Sequence, residues 1–414
     1  MKILMVNKFL YPNGGSETYI FKLGEQLQKR GHAVQYFGME HEGRIVGNHV
    51  ESYTSNMDFH TGRLQKLLYP FRIIYSMEAR KKIRLVLEDF QPDVVHLNNI
   101  NFQLTPSVIY EIRDYEKRSG KKIHIVFTAH DYQWVCPNHM MRIPSNGEIC
   151  FACKGGHFGQ CAKNRCIHNS RIKSLLGTVE AKYYALRKTY GMVDTIICPS
   201  QFMKEQLDTD PVLAGRTVML RNFLPESGEP ADLQAIEGEE GSLAGEGYVV
   251  FFGRFTEEKG VKSLLKACGE LPDIPFVFAG SGPLEKQVNQ VENVENRGFV
   301  TGSSLKELIS GARFSVYPSE WYENCPFSVM ESQMYGTPVI ASNLGGTKEL
   351  VEEGVTGELF PAGDVKELTM HIRKLWDSPG LSQKYSENCK RNRFDTVKEY
   401  CDKIVKIYQG GQES

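Results

Sequence analysis

Two successive series of strand-length apolar runs, each alternating with helical patterns, constrain this chain more than any other feature. Residues 3–6, 33–37, 94–97, 123–127 and 195–198 form the first series, and residues 249–252, 276–279, 314–317 and 339–341 form the second. Uninterrupted apolar runs suit strands covered on both faces, and helices between them imply parallel pairing. Between the series, residues 225–247 hold Gly, Pro, Ser and acidic residues without periodicity, which predicts a linker. The expected architecture is therefore α/β, with Rossmann-like domains at residues 1–222 and 248–394 joined by a linker over 223–247. The 414 residues suit two such domains better than one core. Val397, Tyr400, Ile404 and Ile407 recur at helical spacing, so residues 395–414 predict a last helix that must pack on something.

Hydrophobic residues make up 41% and charged residues 24%, the profile of a folded chain and not a disordered one. The first ten residues include Lys2 and Lys8 and lack a signal peptide's apolar region, and the longest apolar runs are strand-sized. The expectation is a cytoplasmic protein without a membrane span. The net charge of −1 hides a polarity, because residues 1–200 carry 27 Lys+Arg against 17 Asp+Glu, leaving 22 against 33 for the rest. The N-terminal half is therefore expected to face something anionic. Its most basic stretch has Arg63, Lys66, Arg72, Arg80, Lys81, Lys82 and Arg84 against Glu78 alone, interleaved with Leu64, Leu67, Leu68, Phe71, Ile74, Tyr75 and Met77. Two readings fit: a helix lying on an anionic membrane surface at the inner face of the plasma membrane, or a solvated helix face. No nucleic-acid-binding signature is present, so no nucleic acid partner is expected.

Gly14-Gly15-Ser16-Glu17 follows the first strand and opens a helix, where free backbone N–H groups and the helix dipole favour phosphate. The glycine pattern is not that of a dinucleotide site. In the second half, Gly253-Arg254 ends a strand and Lys259-Gly260 leads into a helix. An Arg fork and a Lys point charge suit a diphosphate whose charge grows as it leaves. Glu323 and Glu331 are the sharpest pair. Pro326 suits the first turn of a helix, which places Glu323 in the preceding loop and Glu331 on the second turn, on the order of 10 Å apart. Carboxylates accept hydrogen bonds from pairs of sugar hydroxyls, and the N–H groups of Asn324 and Cys325 offer further contacts. Phe327, Met330 and Met334 have core spacing and read as packing. Asp208-Thr209-Asp210 looks like a metal-binding pair of aspartates, but it stands between a helical run and Pro211 and reads as a turn.

Taken together with Arg30-Gly31-His32, Ala129-His130-Asp131, Gly280-Ser281-Gly282-Pro283 and Gly345-Gly346 with Glu349, these motifs run along nearly the whole chain. In them the sequence resembles the family 4 glycosyltransferases of the GT-B fold, of the bacterial surface-polysaccharide type. The resemblance implies two Rossmann-like domains facing a central cleft, with the C-terminal helix crossing back to the N-terminal domain. It implies a retaining, hexosyl-type transferase that takes a sugar from a nucleoside diphosphate. The donor is then held mainly by the C-terminal domain, and the acceptor by the N-terminal one. Arg254 and Lys259 would hold the diphosphate, Glu331 the ribose and Glu323 the transferred sugar. Gly14 and Gly15 would stand at the distal phosphate, His130 beside the sugar, and Phe299 and Val300 at the base. Asn324, Cys325, Pro326 and Phe327 complete the implied donor site. No catalytic metal is implied. The expected acceptor is a polyprenyl-diphosphate-linked saccharide of a cell-surface glycan. A soluble small-molecule acceptor and a silent nucleotide-sugar-binding module are the alternatives.

Five of the ten cysteines, Cys136, Cys150, Cys153, Cys161 and Cys166, fall within 31 residues. In a reducing compartment this spacing is a metal-ligand pattern before it is a disulfide framework, and zinc held structurally by four of the five is the expectation. His157 and His168 are possible substitutes. The insertion at about 136–168 is polar and Gly-rich, too poor in apolar residues to fold on a core of its own.

Overall fold

The computed structural model describes residues 1–55, 72–224 and 247–410. Most of the linker, and Arg63, Leu64, Lys66, Leu67, Leu68 and Phe71 of the basic stretch, lie outside the described residues. The chain divides into two compact units, Met1–Asn222 with Val397–Ser414, and Phe223–Thr396.

The first unit is built on a six-stranded parallel sheet of order β2-β1-β3-β4-β5-β6. Its strands are β1 (Lys2–Val6), β2 (Ala33–Phe37), β3 (Val94–Leu97), β4 (His124–Thr128), β5 (Thr195–Cys198) and β6 (Thr217–Met219). Ile3, Leu4, Met5 and Val6 are completely buried, as a central strand covered by helices on both faces requires. Ser76, Ser170 and Ser200 each accept a hydrogen bond from the backbone N–H three residues on, and so start the helices Met77–Phe90, Arg171–Leu186 and Gln201–Leu207. A cap of this kind contributes about 1 kcal/mol. The last helix, Val397–Tyr408, belongs to this unit: Val397, Tyr400, Ile404 and Ile407 are all buried. The Tyr400 and Tyr19 hydroxyls are 2.8 Å apart, and the Tyr408 hydroxyl is 2.7 Å from Nδ1 of His96. Arg30 pairs with Asp402 and donates to the Lys398 carbonyl at 2.7 Å, so the Arg30-Gly31-His32 motif anchors this helix.

The second unit has a six-stranded parallel sheet of order β12-β11-β10-β7-β8-β9. It comprises β7 (Val249–Phe252), β8 (Phe276–Ala279), β9 (Val294–Asn296), β10 (Phe314–Tyr317), β11 (Val339–Ser342) and β12 (Gly357–Phe360). Phe251, Phe255, Phe276, Phe278 and Phe314 pack its core beside Leu264, Ile340 and Leu368. The apolar runs do not mark strands β6, β9 and β12; among the described residues all three are sheet edges, paired on one side only.

The described end of the basic stretch behaves differently from a freely presented amphipathic helix. Over Met77–Phe90 the apolar residues Ala79, Ile83, Val86, Leu87 and Phe90 are buried in their own unit. Arg80 donates to Glu111 and Asp114 at 2.8 and 2.6 Å, and Arg84 donates to Glu111 at 2.7 Å. Glu111 is fully buried, and Arg118 reaches it as well at 2.9 Å. Burial alone would raise its carboxyl, but the three guanidinium groups hold it below the ordinary carboxylate value. Breaking such a pair strands a buried charge, so Arg80 and Arg84 are structural residues.

Candidate active site

In the second unit, the turns after β7 and β8 are pressed together. A Cβ on Gly280 would lie 1.9 Å from the carbonyl oxygen of Gly253, at a φ of 153° that side chains avoid. This close approach is why position 280 is glycine; beside Gly253, Arg254 is exposed and has no ion pair among the described residues. Lys259 lies five residues on, just before the helix Val261–Glu270.

Lys259 and Glu323 meet directly, Nζ to Oε1 at 2.6 Å. The same carboxylate oxygen accepts from Trp321 Nε1 at 2.5 Å and Ser319 Oγ at 3.1 Å, and Lys259 also donates to the Tyr317 hydroxyl at 3.1 Å. Tyr317 ends β10, so the strand sets the cation's position. Desolvation opposes both charges. The pairing outweighs it, raising the Lys259 ammonium above its ordinary value and holding Glu323 below its own. The backbone of Glu323 is fixed too, its carbonyl accepting from the N–H of Gly346 at 2.8 Å. A Cβ on Gly345 would crowd that carbonyl at 2.8 Å.

Glu331 sits on the second turn of the helix Phe327–Met334, as expected, with Pro326 one residue earlier than its expected first turn, at the N-cap. That helix start has no side-chain cap. The Glu331 carboxylate accepts no hydrogen bond among the described residues, and desolvation pushes it up to about 7. An acceptor left desolvated and unpaired is poised for a ligand donor, such as a pair of hydroxyls. Met330 is buried, with Phe327 and Met334 packed on the same cluster, so these three are core residues, and Cys325 joins them with 5% of its surface exposed. Phe299 is 68% exposed, while Val300 packs at the edge of the cluster formed by Val250, Phe252, Ala279 and Ile309. Tyr317, Ser319 and Trp321, which position Lys259 and Glu323, were not singled out from sequence; the signal available was their closeness to Glu323.

In the first unit, Gly14 is the N-cap of the helix Gly15–Lys29, without a side-chain cap. Glu17 is buried beside it and accepts from Asn7 Nδ2 at 2.9 Å and from Ser16 Oγ at 3.0 Å. Asn99 donates to Ser16 at 2.8 Å and its N–H to Asn7 at 3.0 Å, tying the turn after β1 to the turn after β3. His130 follows β4, its Nε2 2.9 Å from Asn98 Oδ1 and its ring edge-on to Tyr19. With Nε2 donating, Nδ1 is left as an acceptor, and desolvation lowers the imidazole to about 4, so it is neutral at physiological pH. The neutral ring is therefore a hydrogen-bonding and packing surface, not a cation. Asp208 pairs with Lys204 at 2.5 Å and Asp210 accepts from the N–H of Val212 at 2.8 Å, so the paired aspartates form a turn. Among the described residues, no helix is long and apolar enough to cross a membrane.

Two family models match the chain. "Glycosyltransferase Family 4" covers residues 13–225, and "Glycosyl transferases group 1" covers residues 234–392. The O-antigen chain mannosyltransferase C of Escherichia coli is 27% identical, with 99% of this chain and 98% of that protein aligned. The α-D-kanosaminyltransferase of Streptomyces kanamyceticus is 29% identical over 34% of this chain and 39% of its own length. Among solved structures, sucrose-phosphate synthase of Thermosynechococcus elongatus superposes with a TM-score of 0.67 at 18% identity, over 99% of this chain and 98% of that one. HepE of Anabaena, in complex with UDP, gives 0.65 at 16% identity, over 99% and 100%. At such identities the likeness is one of fold.

Proposed function

Because the chain belongs to glycosyltransferase family 4 and is a GT-B glycosyltransferase, we propose that it transfers a sugar, with retention, from a nucleoside diphosphate to a lipid-linked saccharide. The observation that carries the donor reading is the group on the second unit: exposed Arg254, the Lys259–Glu323 pair and unpaired Glu331. Arg254 and Lys259 neutralise the leaving diphosphate, Glu323 orients the transferred sugar through its hydroxyls, and Glu331 holds the ribose. HepE, which shares the fold, is known with UDP and with UDP-glucose, which supports a nucleotide-sugar donor. Two cations supply the electrostatic stabilisation a divalent metal gives elsewhere, so no catalytic metal is needed. The test is a panel of nucleotide sugars assayed with and without EDTA. Turnover of one donor in both conditions is expected; activity abolished by EDTA and restored by magnesium or manganese contradicts the metal-free reading.

The acceptor reading has two supports. The full-length relative is an O-antigen chain mannosyltransferase. The helix Arg171–Leu186 also exposes Ile172, Leu175, Val179 and Leu186 at 74, 56, 45 and 85%. At about 100° per residue these four fall within roughly 60° of arc, opposite the face buried through Ser174, Gly177 and Thr178. Exposed Arg171, Lys173, Lys182, Arg187 and Lys188 flank the stripe. An apolar stripe edged by cations matches an anionic bilayer, where each charge contributes up to about 1 kcal/mol. This helix, and not Met77–Phe90, is the membrane-docking element. Replacing Ile172, Leu175 and Leu186 by Ser should abolish sedimentation with phosphatidylserine-containing vesicles while leaving donor binding intact, and wild-type binding should fall as salt rises. Equal sedimentation of variant and wild type would remove this helix as the docking element, and no sedimentation of either would favour a soluble acceptor.

A further inference from the structure

The cysteine-rich insertion has no part in the donor chemistry, and its structure raises a separate question of what holds it together. After β4 the chain makes a short hairpin, with the Ile143 N–H donating to Glu148 and the Cys150 N–H to Met141, both at 2.8 Å. A 3₁₀ turn, Lys154–Gly156, and a five-residue helix, Gly159–Lys163, follow. His139, Met141, Arg165, His168 and Asn169 all adopt positive φ, a conformation unfavourable for side-chain-bearing residues. The apolar cluster under these turns consists of Cys153, Phe158, Cys161 and Cys166, with Ile167 and Ala181 at its edge. A cluster that is three-quarters thiol and carries a single aromatic ring offers little burial to offset so much irregular backbone.

We propose that Cys136, Cys153, Cys161 and Cys166 bind one structural zinc ion. These four are buried, with 8, 6, 1 and 6% exposure. Cys153, Cys161 and Cys166 share one buried cluster. Asn138 links the two ends of the set, accepting from the Cys136 thiol at 2.7 Å and donating to the Cys166 carbonyl at 3.5 Å. Cys150 is less buried and its sulfur accepts the Ala152 N–H at 3.4 Å, which leaves it as the spare thiol. His157 and His168 are exposed and take no part. Among the described residues, no three His, Cys, Asp or Glu side chains already stand at metal spacing. The backbone has brought three of the sulfurs into one buried cluster, with Cys136 linked to it through Asn138, and the proposed site forms by rotation about χ1 between staggered wells. Binding releases the four thiol protons and leaves a tetrathiolate centre of charge −2. Arg142, Lys154, Lys163 and Arg165, against Glu148 alone, provide the surrounding positive charge.

Elemental analysis of the full-length chain, purified without added metal, should find close to one zinc per chain in the wild type and in Cys150→Ser. Cys161→Ser should lose it. If Cys161→Ser does not fold, cobalt-loaded wild-type protein decides, since a tetrahedral tetrathiolate site has intense ligand-field absorption that weaker sulfur ligation lacks. Slow chelation should free four thiols to a thiol reagent in native protein. Metal-free wild-type protein with five freely titrating thiols, or zinc lost as readily in Cys150→Ser as in Cys161→Ser, would overturn the assignment. None of these readouts depends on transfer activity.

Discussion

Replacing Arg254 or Lys259 by alanine is expected to lower transfer by about 10²–10³-fold, a loss of roughly 2–4 kcal/mol of transition-state stabilisation for one preorganised electrostatic group. The two variants differ in what else they disturb. Arg254 is exposed and outside any ion pair among the described residues, so Arg254→Ala should lose rate without losing stability. Lys259 neutralises Glu323, whose side chain is only 11% exposed. Lys259→Ala therefore strands a largely buried carboxylate, and thermal stability should fall along with rate. Near wild-type turnover in both variants, measured with a confirmed donor, would remove the diphosphate from these residues.

The second large effect separates the two carboxylates by ligand. Glu323→Gln should reduce transfer strongly and leave the affinity for free nucleoside diphosphate nearly unchanged, because its expected substrate contact is the sugar and glutamine leaves the Lys259 cation in place. Glu331→Gln should weaken the nucleotide itself. Glu331 carries a pH signature as well. Its carboxyl is raised from 4.5 to about 7 by desolvation, and only the ionised form can accept from two ribose hydroxyls at once. Nucleotide affinity should therefore rise as pH increases through about 7 in the wild type and stay flat in Glu331→Gln. Stability runs the other way. The folded state favours the protonated acid, so this contribution is complete below the unfolded value of 4.5 and lost as pH rises through about 7. Calorimetric titration with nucleoside diphosphate across this range reads the first effect, and melting curves read the second. A nucleotide defect larger in Glu323→Gln than in Glu331→Gln would reverse the two roles.

The parts of this protein legible in its sequence are those set by local pattern. Central strands such as β1 and β7 are unbroken apolar runs because both faces are covered, and the last helix shows its buried stripe in Val397, Tyr400, Ile404 and Ile407. Edge strands carry a weaker signal: Val294–Asn296 has a charged residue at its middle. What sequence could not supply was pairing at long range. The basic run around Arg80 and Arg84 looks solvent-facing until Glu111, about thirty residues on, is found buried against it. In the same way, Lys259 and Glu323 read as separate contacts to diphosphate and sugar, although 64 residues of chain bring them into one ion pair. Spacing alone also could not distinguish among five cysteines the four that are buried together.

The central claim is that the second unit binds a nucleoside diphosphate without a divalent metal, with Arg254 and Glu331 among its contacts. Its most direct test is calorimetric titration of UDP and GDP, in the presence of EDTA, into wild-type protein, Arg254→Ala and Glu331→Gln. The account predicts saturable binding of at least one nucleotide by the wild type and a loss of about tenfold or more in each variant, in line with charge-assisted hydrogen bonds of about 1.5–3 kcal/mol. Equal affinity in all three proteins, or binding by the wild type only when a divalent cation is supplied, would contradict it.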